Sequence, residues 1–240
     1  MEGRFLISSN EKPVEGNIYS DKSAVVLDWL LREGTKSREL SVRNVSKEAG
    51  VSLGSAQRVF RTLVLKGILQ VEGIRTGKKF FLKDPKRLLE GWLEHYSIVK
   101  KCKMRTYRSG FQDKGKLLEA IKNSNLSNKV ALALHSAVEA HGCKNTNLNT
   151  LELYMLDPLV RSQLEKKLLL EPQEKGYEVL LIEPYYKSLL KNAYDSSQDI
   201  NASSSILTFL DLYHFPLRGQ EQAEFMAARL PELKRIYKKR

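Results

Sequence analysis

The sequence predicts an α+β/α/β fold class: an N-terminal winged helix-turn-helix followed by a small mixed α/β domain. Between residues 24 and 82, three helical patterns precede two short β-rich runs that a glycine-containing loop separates. After residue 116, apolar runs of strand length alternate with helical patterns, which favours an α/β domain. The 240 residues leave room for both units.

These patterns divide the chain into four predicted segments. Residues 1–22 are polar and are expected to be flexible, and residues 23–96 are expected to form the winged helix together with one further helix at its C-terminal end. Residues 97–115 are rich in Lys and Arg and are interpreted as a basic linker, with the start of the second domain as the alternative. Residues 116–240 are expected to form a regulatory α/β domain that ends in a basic tail.

The N-terminal prediction depends on the helical pattern over residues 53–66. Ser52 can cap the first turn of this helix, because its hydroxyl can accept a hydrogen bond from an unpaired main-chain N–H. Gly50 suits the left-handed position that ends the preceding helix, over residues 42–49. Apolar side chains recur at spacings of three and four along the longer helix, which predicts a buried stripe. These side chains are Ala56, Val59, Phe60 and Leu63.

The opposite face of the same helix and the loop between the β-rich runs carry the candidate DNA contacts. In the major groove Arg pairs with guanine and Gln with adenine, whereas hydroxyl and Lys side chains suit phosphate oxygens. The predicted partner is therefore double-stranded operator DNA. The candidate residues are Ser52, Ser55, Gln57, Arg58, Arg61 and Thr62 on the helix, and Arg75, Lys78 and Lys79 in the loop.

The distribution of charge agrees with a nucleic-acid partner for the N-terminal half. The formal net charge is +12; residues 1–115 hold 23 Lys and Arg against 13 Asp and Glu, whereas residues 116–240 hold 17 against 15. A basic surface attracts polyanions, so the less charged half is expected to meet something other than DNA. The chain lacks an apolar run of membrane length and a signal-peptide core, which predicts a cytoplasmic protein with no membrane partner.

The C-terminal half shows no pattern typical of an enzyme. Asp157 follows a predicted strand alone, and Glu178 and Glu183 flank an apolar run that is not followed by the Glu-x-Lys pattern expected of a metal-dependent nuclease. His135 and Glu139 are four residues apart, which offers two metal ligands without a third. We therefore predict no catalytic residue, no metal and no cofactor. Asp211 and His214 are expected to form a local hydrogen bond at the end of a helix.

Three stretches of the C-terminal half carry a resemblance to a known family. They are residues 131–142, residues 178–185, and residues 206–224, where a helix ending in Asp-Leu-Tyr is followed by a turn with Pro and Arg-Gly and then by a second helix that opens with acidic residues. The chain resembles the AbiEi-type antitoxin and transcriptional regulator family of type IV toxin–antitoxin systems. The resemblance implies autoregulation through a DNA-binding winged helix. It also implies a C-terminal domain that counteracts a nucleotidyltransferase-like toxin.

Other functions remain open from the sequence alone. The first alternative is a stand-alone winged-helix transcription factor whose second domain binds a small effector. The second is an enzyme of the nuclease or nucleotidyltransferase class, for which the acidic residues are too scattered. For the cationic helix face, the alternative to a DNA-binding surface is a solvated surface or a protein-binding surface.

Overall fold

The computed structural model describes residues 17–36, 39–74, 77–191 and 200–237, which form a mixed α+β structure with two sheets. The N-terminal elements are α1 (Asp21–Trp29), which continues as a π-helical turn (Leu30–Gly34), α2 (Val42–Glu48), α3 (Leu53–Leu65), β1 (Leu69–Glu72), β2 (Lys79–Leu82) and α4 (Pro85–His95). The following elements are α5 (Ile98–Lys101), β3 (Lys103–Ser109), α6 (Lys114–Lys122), β4 (Val130–Leu132), α7 (Leu134–Ala140), β5 (Leu151–Met155), α8 (Val160–Lys167), β6 (Leu170–Pro172), β7 (Val179–Glu183), α9 (Lys187–Leu190), α10 (Ser205–Tyr213), α11 (Gly219–Ala227) and α12 (Pro231–Ile236).

The smaller sheet fixes α3 against a hairpin. Strands β1 and β2 are antiparallel, with Val71 opposite Phe80. Leu40, which lies just before α2, forms an isolated bridge to Phe80 and so joins the α2 segment to the hairpin. The ring of Phe80 meets Phe60 of α3 edge to face, with 5.0 Å between the ring centroids. This aromatic pair ties the hairpin to the buried side of α3 and leaves the other side of the helix free.

The larger sheet has the strand order β4-β5-β7-β3-β6. Only β5 and β7 pair in parallel, and the other neighbours are antiparallel. The alternation of strands and helices along the sequence predicted an α/β domain. Its apolar runs indicated β5 and β7, whereas the run at β4 left a strand and the start of a helix open. The sequence pattern missed the two strands that make the sheet mainly antiparallel, β3 and β6.

The segment interpreted as a basic linker is instead part of the sheet. Residues 103–109 form β3, which lies between β7 and β6. Its Lys and Arg side chains are exposed, and Tyr107 is its buried residue. Because charged residues occupy the exposed positions, the hydrophobic pattern of this segment does not indicate a strand. The end of the polar N-terminal segment is also ordered, because Ile18 and Tyr19 are buried in the core before α1 begins. Residues 1–16 of that segment and residues 238–240 of the basic tail lie outside the described residues.

A single buried core joins the N-terminal helices to the larger sheet. It includes side chains of α1, α4, α10 and α12. Buried hydrogen bonds cross the same junction: the indole N–H of Trp92 donates to Tyr186 Oη at 2.8 Å, and this hydroxyl donates to the carbonyl oxygen of Tyr19 at 3.0 Å. The hydroxyl of Ser204 donates to Asp28 at 3.0 Å. These bonds restrict the orientation of α1 and α4 relative to the sheet.

Asp211 on α10 is the most deeply buried acid of this junction. Its two carboxylate oxygens accept hydrogen bonds from Tyr96 Oη at 2.8 Å and from Tyr154 Oη at 2.7 Å, and the side chain is fully excluded from solvent. Burial raises its pKa to about 7, and the two hydroxyl donors oppose that rise. The predicted local bond between Asp211 and His214 is therefore wrong: His214 Nε2 bonds to the carbonyl oxygen of Leu93 at 3.0 Å.

A second buried network joins β5 to α7. Glu152 is fully buried, and one of its oxygens accepts from the main-chain N–H and the hydroxyl of Ser136 at 2.9 and 2.6 Å. Its other oxygen accepts from Thr150 and Tyr177. Lys114 donates to Ser136 Oγ at 2.9 Å and also binds Glu139. Because its acceptor groups are occupied within the protein, this polar cluster has a structural role.

Candidate nucleic-acid interface

Helix α3 is built so that one of its faces stays exposed. The hydroxyl of Ser52 accepts a hydrogen bond from the main-chain N–H of Ser55 at 3.2 Å, which confirms Ser52 as the N-cap. The preceding Gly50 has a φ of 65°, as expected for the turn between α2 and α3. The predicted stripe is buried as well, with exposed fractions between 0% and 1%. Its residues are Ala56, Val59, Phe60 and Leu63.

The exposed face of α3 forms one wall of an open cleft of about 900 Å³. The start of α2 and the hairpin complete the cleft. Cationic side chains surround it, and apolar side chains of α3 and the hairpin lie between them. The lining residues are Ser41, Val42, Arg43, Leu53, Gly54, Gln57, Arg58, Phe60, Arg61, Val64, Leu65, Val71, Lys78 and Phe80.

Four of the predicted contacts meet in this cleft. Gln57, Arg58 and Arg61 are exposed on α3, and Lys78, just before β2, also lines the cleft. Arg58 and Arg61 are in no ion pair with any residue that the structure describes. Their guanidinium groups are therefore not neutralised by a described carboxylate and stay available to an anionic ligand.

Three predicted contacts lie elsewhere. Thr62 is buried at 5% exposure, and its hydroxyl donates to the carbonyl oxygen of Arg58 at 3.1 Å. The interpretation of Thr62 as a ligand contact is corrected, because a Thr hydroxyl inside a helix can bond back to the preceding turn. Ser52 and Ser55 lie at the start of α3 beside a smaller cavity of about 410 Å³, which Lys22 and Lys191 also line.

One predicted contact of the hairpin, Lys79, is paired with a carboxylate. Lys79 Nζ lies 2.8 Å from a carboxylate oxygen of Glu39, and the hydrogen bond to Glu39 raises the pKa of Lys79. Lys79 is not among the residues that line the cleft, although its side chain is half-exposed. Arg75 lies outside the described residues.

The structure adds residues to the cleft that sequence reasoning missed. Arg43 reaches it from the first turn of α2, and Leu53 and Leu65 mark the two ends of the exposed face of α3. Leu53 and Leu65 are 45% and 58% exposed. Their spacing of twelve residues could have placed them on the face of Gln57 and Arg61, because each step of four residues keeps to one side of a helix. Arg43 gave no such signal, since it belongs to another helix.

The four histidines have structural partners in the main chain. His135, His141 and His214 each bond through Nε2 to a main-chain carbonyl oxygen, and His95 does so through Nδ1. Among the described residues, no group of three or more His, Cys, Asp or Glu side chains could hold a metal ion. A search of the same part of the chain for a helix able to cross a bilayer found none.

The fold and the site define a mixed α+β protein with an exposed cationic helix. The cationic face of α3 lies towards solvent, and the histidines bond to main-chain carbonyl oxygens. A family model described as transcriptional regulator, AbiEi antitoxin, type IV TA system matches residues 81–230. The match covers more than half of the 240 residues, and the chain belongs to this family of regulators. The matched region includes α4 and the larger sheet, and it begins after α3.

No curated protein and no solved structure matched the chain.

Proposed function

We propose that the protein is a DNA-binding transcriptional repressor that acts as the antitoxin of a type IV toxin–antitoxin operon. Residues 23–96 act as the winged-helix domain, with α2 and α3 as the helix-turn-helix and the β1–β2 hairpin as the wing. The single observation that carries this proposal is the cleft along α3, in which Arg58 and Arg61 are exposed and have no described carboxylate partner. Helix α3 enters the major groove with that face.

The chemistry of the cleft supports duplex DNA as its ligand. Two Arg and one Gln on one helix face can pair with guanine and adenine edges, and Lys78 can meet a phosphate oxygen beside the groove. The exposed Leu53 and Leu65 can contact thymine methyl groups. A solvated helix face would need neither the apolar side chains at its two ends nor the cationic side chains on three neighbouring elements.

The experiment measures the affinity of the full chain for a labelled duplex taken from upstream of its own coding sequence, over a series of salt concentrations. We expect Arg58→Ala and Arg61→Ala each to weaken binding by about 1–3 kcal/mol and to reduce the slope of affinity against salt. Arg161→Ala serves as the matched control, because Arg161 is a partly exposed arginine on α8. Thr62→Val is a control on α3 itself and should leave the affinity unchanged, since Thr62 is buried. Equal affinity and slope for the wild type and both cleft variants would refute DNA binding by this face.

The larger sheet and its helices are the part of the chain that we propose counteracts a nucleotidyltransferase-like toxin. The family match covers this region almost entirely, and the family is one of antitoxins of type IV systems. Residues 116–240, which hold all strands of the larger sheet except β3, carry 17 Lys and Arg against 15 Asp and Glu, unlike the first 115 residues. That balance supports a division of function between the two parts of the chain. In this division α3 binds DNA, and the C-terminal region counteracts the toxin.

A further inference from the structure

Gly54 is an unusual residue for its position on α3. It lies in the first turn of the helix, where the structure needs no left-handed conformation, and Gly inside a helix is unfavourable relative to Ala. An ideal Cβ built on Gly54 would meet no atom of the protein within 4 Å. Neither the backbone conformation nor the packing of the described chain therefore requires a glycine here.

Two helical glycines elsewhere in the chain, Gly91 and Gly219, do have an internal reason. A Cβ on Gly91 of α4 would lie 2.6 Å from Tyr19 Oη, and one on Gly219 of α11 would lie 2.3 Å from the carbonyl oxygen of Leu212. Both distances are too short for real atoms, so close packing within the protein explains these two residues. The space beside Gly54 opens instead into the cleft.

The position of Gly54 on α3 shows what the missing side chain would face. Gly54, Arg58, Arg61 and Leu65 follow one another at spacings of four, three and four residues, which places them on one side of the helix. All four line the cleft, and Gly54 precedes Arg58 by one turn. Gly54 thus leaves the main chain of α3 uncovered on the side of the helix that carries the cationic side chains.

We propose that Gly54 is the point of closest approach between α3 and the DNA duplex. There the main chain of the first helical turn lies against the DNA at a distance that a side chain would prevent. This contact sets how deeply α3 enters the groove, and so whether the guanidinium groups of Arg58 and Arg61 reach the base edges. The inference rests on the proposed DNA-binding function and adds a residue that positions the helix without contributing charge.

The substitution Gly54→Ala tests this with effects of opposite sign on stability and binding. We expect the Tm of the full chain to rise by about 1–4 °C, because Ala is the better helix former. We expect affinity for the upstream duplex to fall by about tenfold, because overpacking a close contact is unfavourable. The bulkier Gly54→Val should bind more weakly still. The slope of affinity against salt should stay at the wild-type value, because no charge is removed.

The chain offers a matched control in Gly115, which occupies the same position in the first turn of α6. A Cβ there would meet only a side-chain oxygen of Asp113, at 3.2 Å. Gly115→Ala should therefore leave DNA affinity unchanged. An unchanged affinity of Gly54→Ala, or an equal loss in Gly115→Ala, would overturn the inference. If Arg58→Ala still weakens binding in that case, the proposed function stands without it; if the wild type binds no upstream duplex, both fall.

Discussion

Replacement of the buried Asp211 carboxyl should change how the stability of the protein depends on pH. Burial raises the pKa of Asp211 to about 7 in the folded protein, whereas in the unfolded chain the pKa is the ordinary aspartate value of 3.8. Over the pH range between these values, the folded state holds a proton that the unfolded state has released. The free energy of unfolding contributed by this group is therefore highest below the unfolded pKa and falls as the pH rises through the folded pKa.

The size of the effect follows from the two pKa values. Between about pH 5.5 and about pH 8, titration of Asp211 alone should lower the free energy of unfolding by about 2 kcal/mol. In a chain of this length, that difference corresponds to a shift in Tm of about 4–8 °C. Asp211→Asn removes the titration and keeps a group of nearly the same shape. Its amide NH₂ can donate to Tyr96 or Tyr154, because a tyrosine hydroxyl also accepts hydrogen bonds.

The assay is denaturant unfolding of the wild type and of Asp211→Asn across this pH range. Between about pH 5.5 and about pH 8, we expect the free energy of unfolding of the wild type to fall by about 2 kcal/mol more than that of Asp211→Asn. Asp113→Asn is the control, since Asp113 is an exposed cap of α6 and no buried carboxyl is lost. Parallel curves for the wild type and Asp211→Asn would refute the argument that burial governs this group.

Two further predictions concern the C-terminal region. Glu152→Ala should lower the free energy of unfolding by about 2–3 kcal/mol, because the main-chain N–H of Ser136 and the hydroxyl of Tyr177 would lose their buried acceptor; the exposed Glu171→Ala is the control, and equal unfolding curves would contradict the structural role. Co-expression of the chain with the adjacent open reading frame should rescue growth if that frame encodes a nucleotidyltransferase-like toxin, and persistent growth arrest beside such a toxin would contradict the antitoxin proposal.

Local sequence patterns were enough to predict the N-terminal elements. The cap at Ser52, the turn at Gly50 and the apolar spacing within α3 are short-range features, and each lies where the pattern indicated. The same period identified one face of α3 as exposed, and with it Gln57, Arg58 and Arg61. It failed at Thr62, which lies at the border of the two faces, where packing rather than spacing decides burial.

Strand β3 shows why part of the larger sheet could not be predicted from short-range sequence patterns. A central strand is usually apolar, yet β3 pairs with β7 over residues 103–107 and with β6 only over residues 107–109, and its Lys and Arg side chains are exposed. Its place between β7 and β6 depends on residues about 60 to 80 positions further along the chain. Similarly, Asp211 meets Tyr96 and Tyr154, which are 115 and 57 residues away, and not His214 beside it.

The sequence by itself determined the charge of the chain, the identity of its α3 helix and the side chains that this helix exposes, because these depend on neighbours within a few turns. Only the tertiary structure decided that the basic segment over residues 103–109 joins a sheet, that Asp211 is buried between two tyrosines, and that Gly54 opens into a cleft. Such features arise where distant segments meet, and burial, hydrogen bonding and free space at those places depend on the whole packed chain.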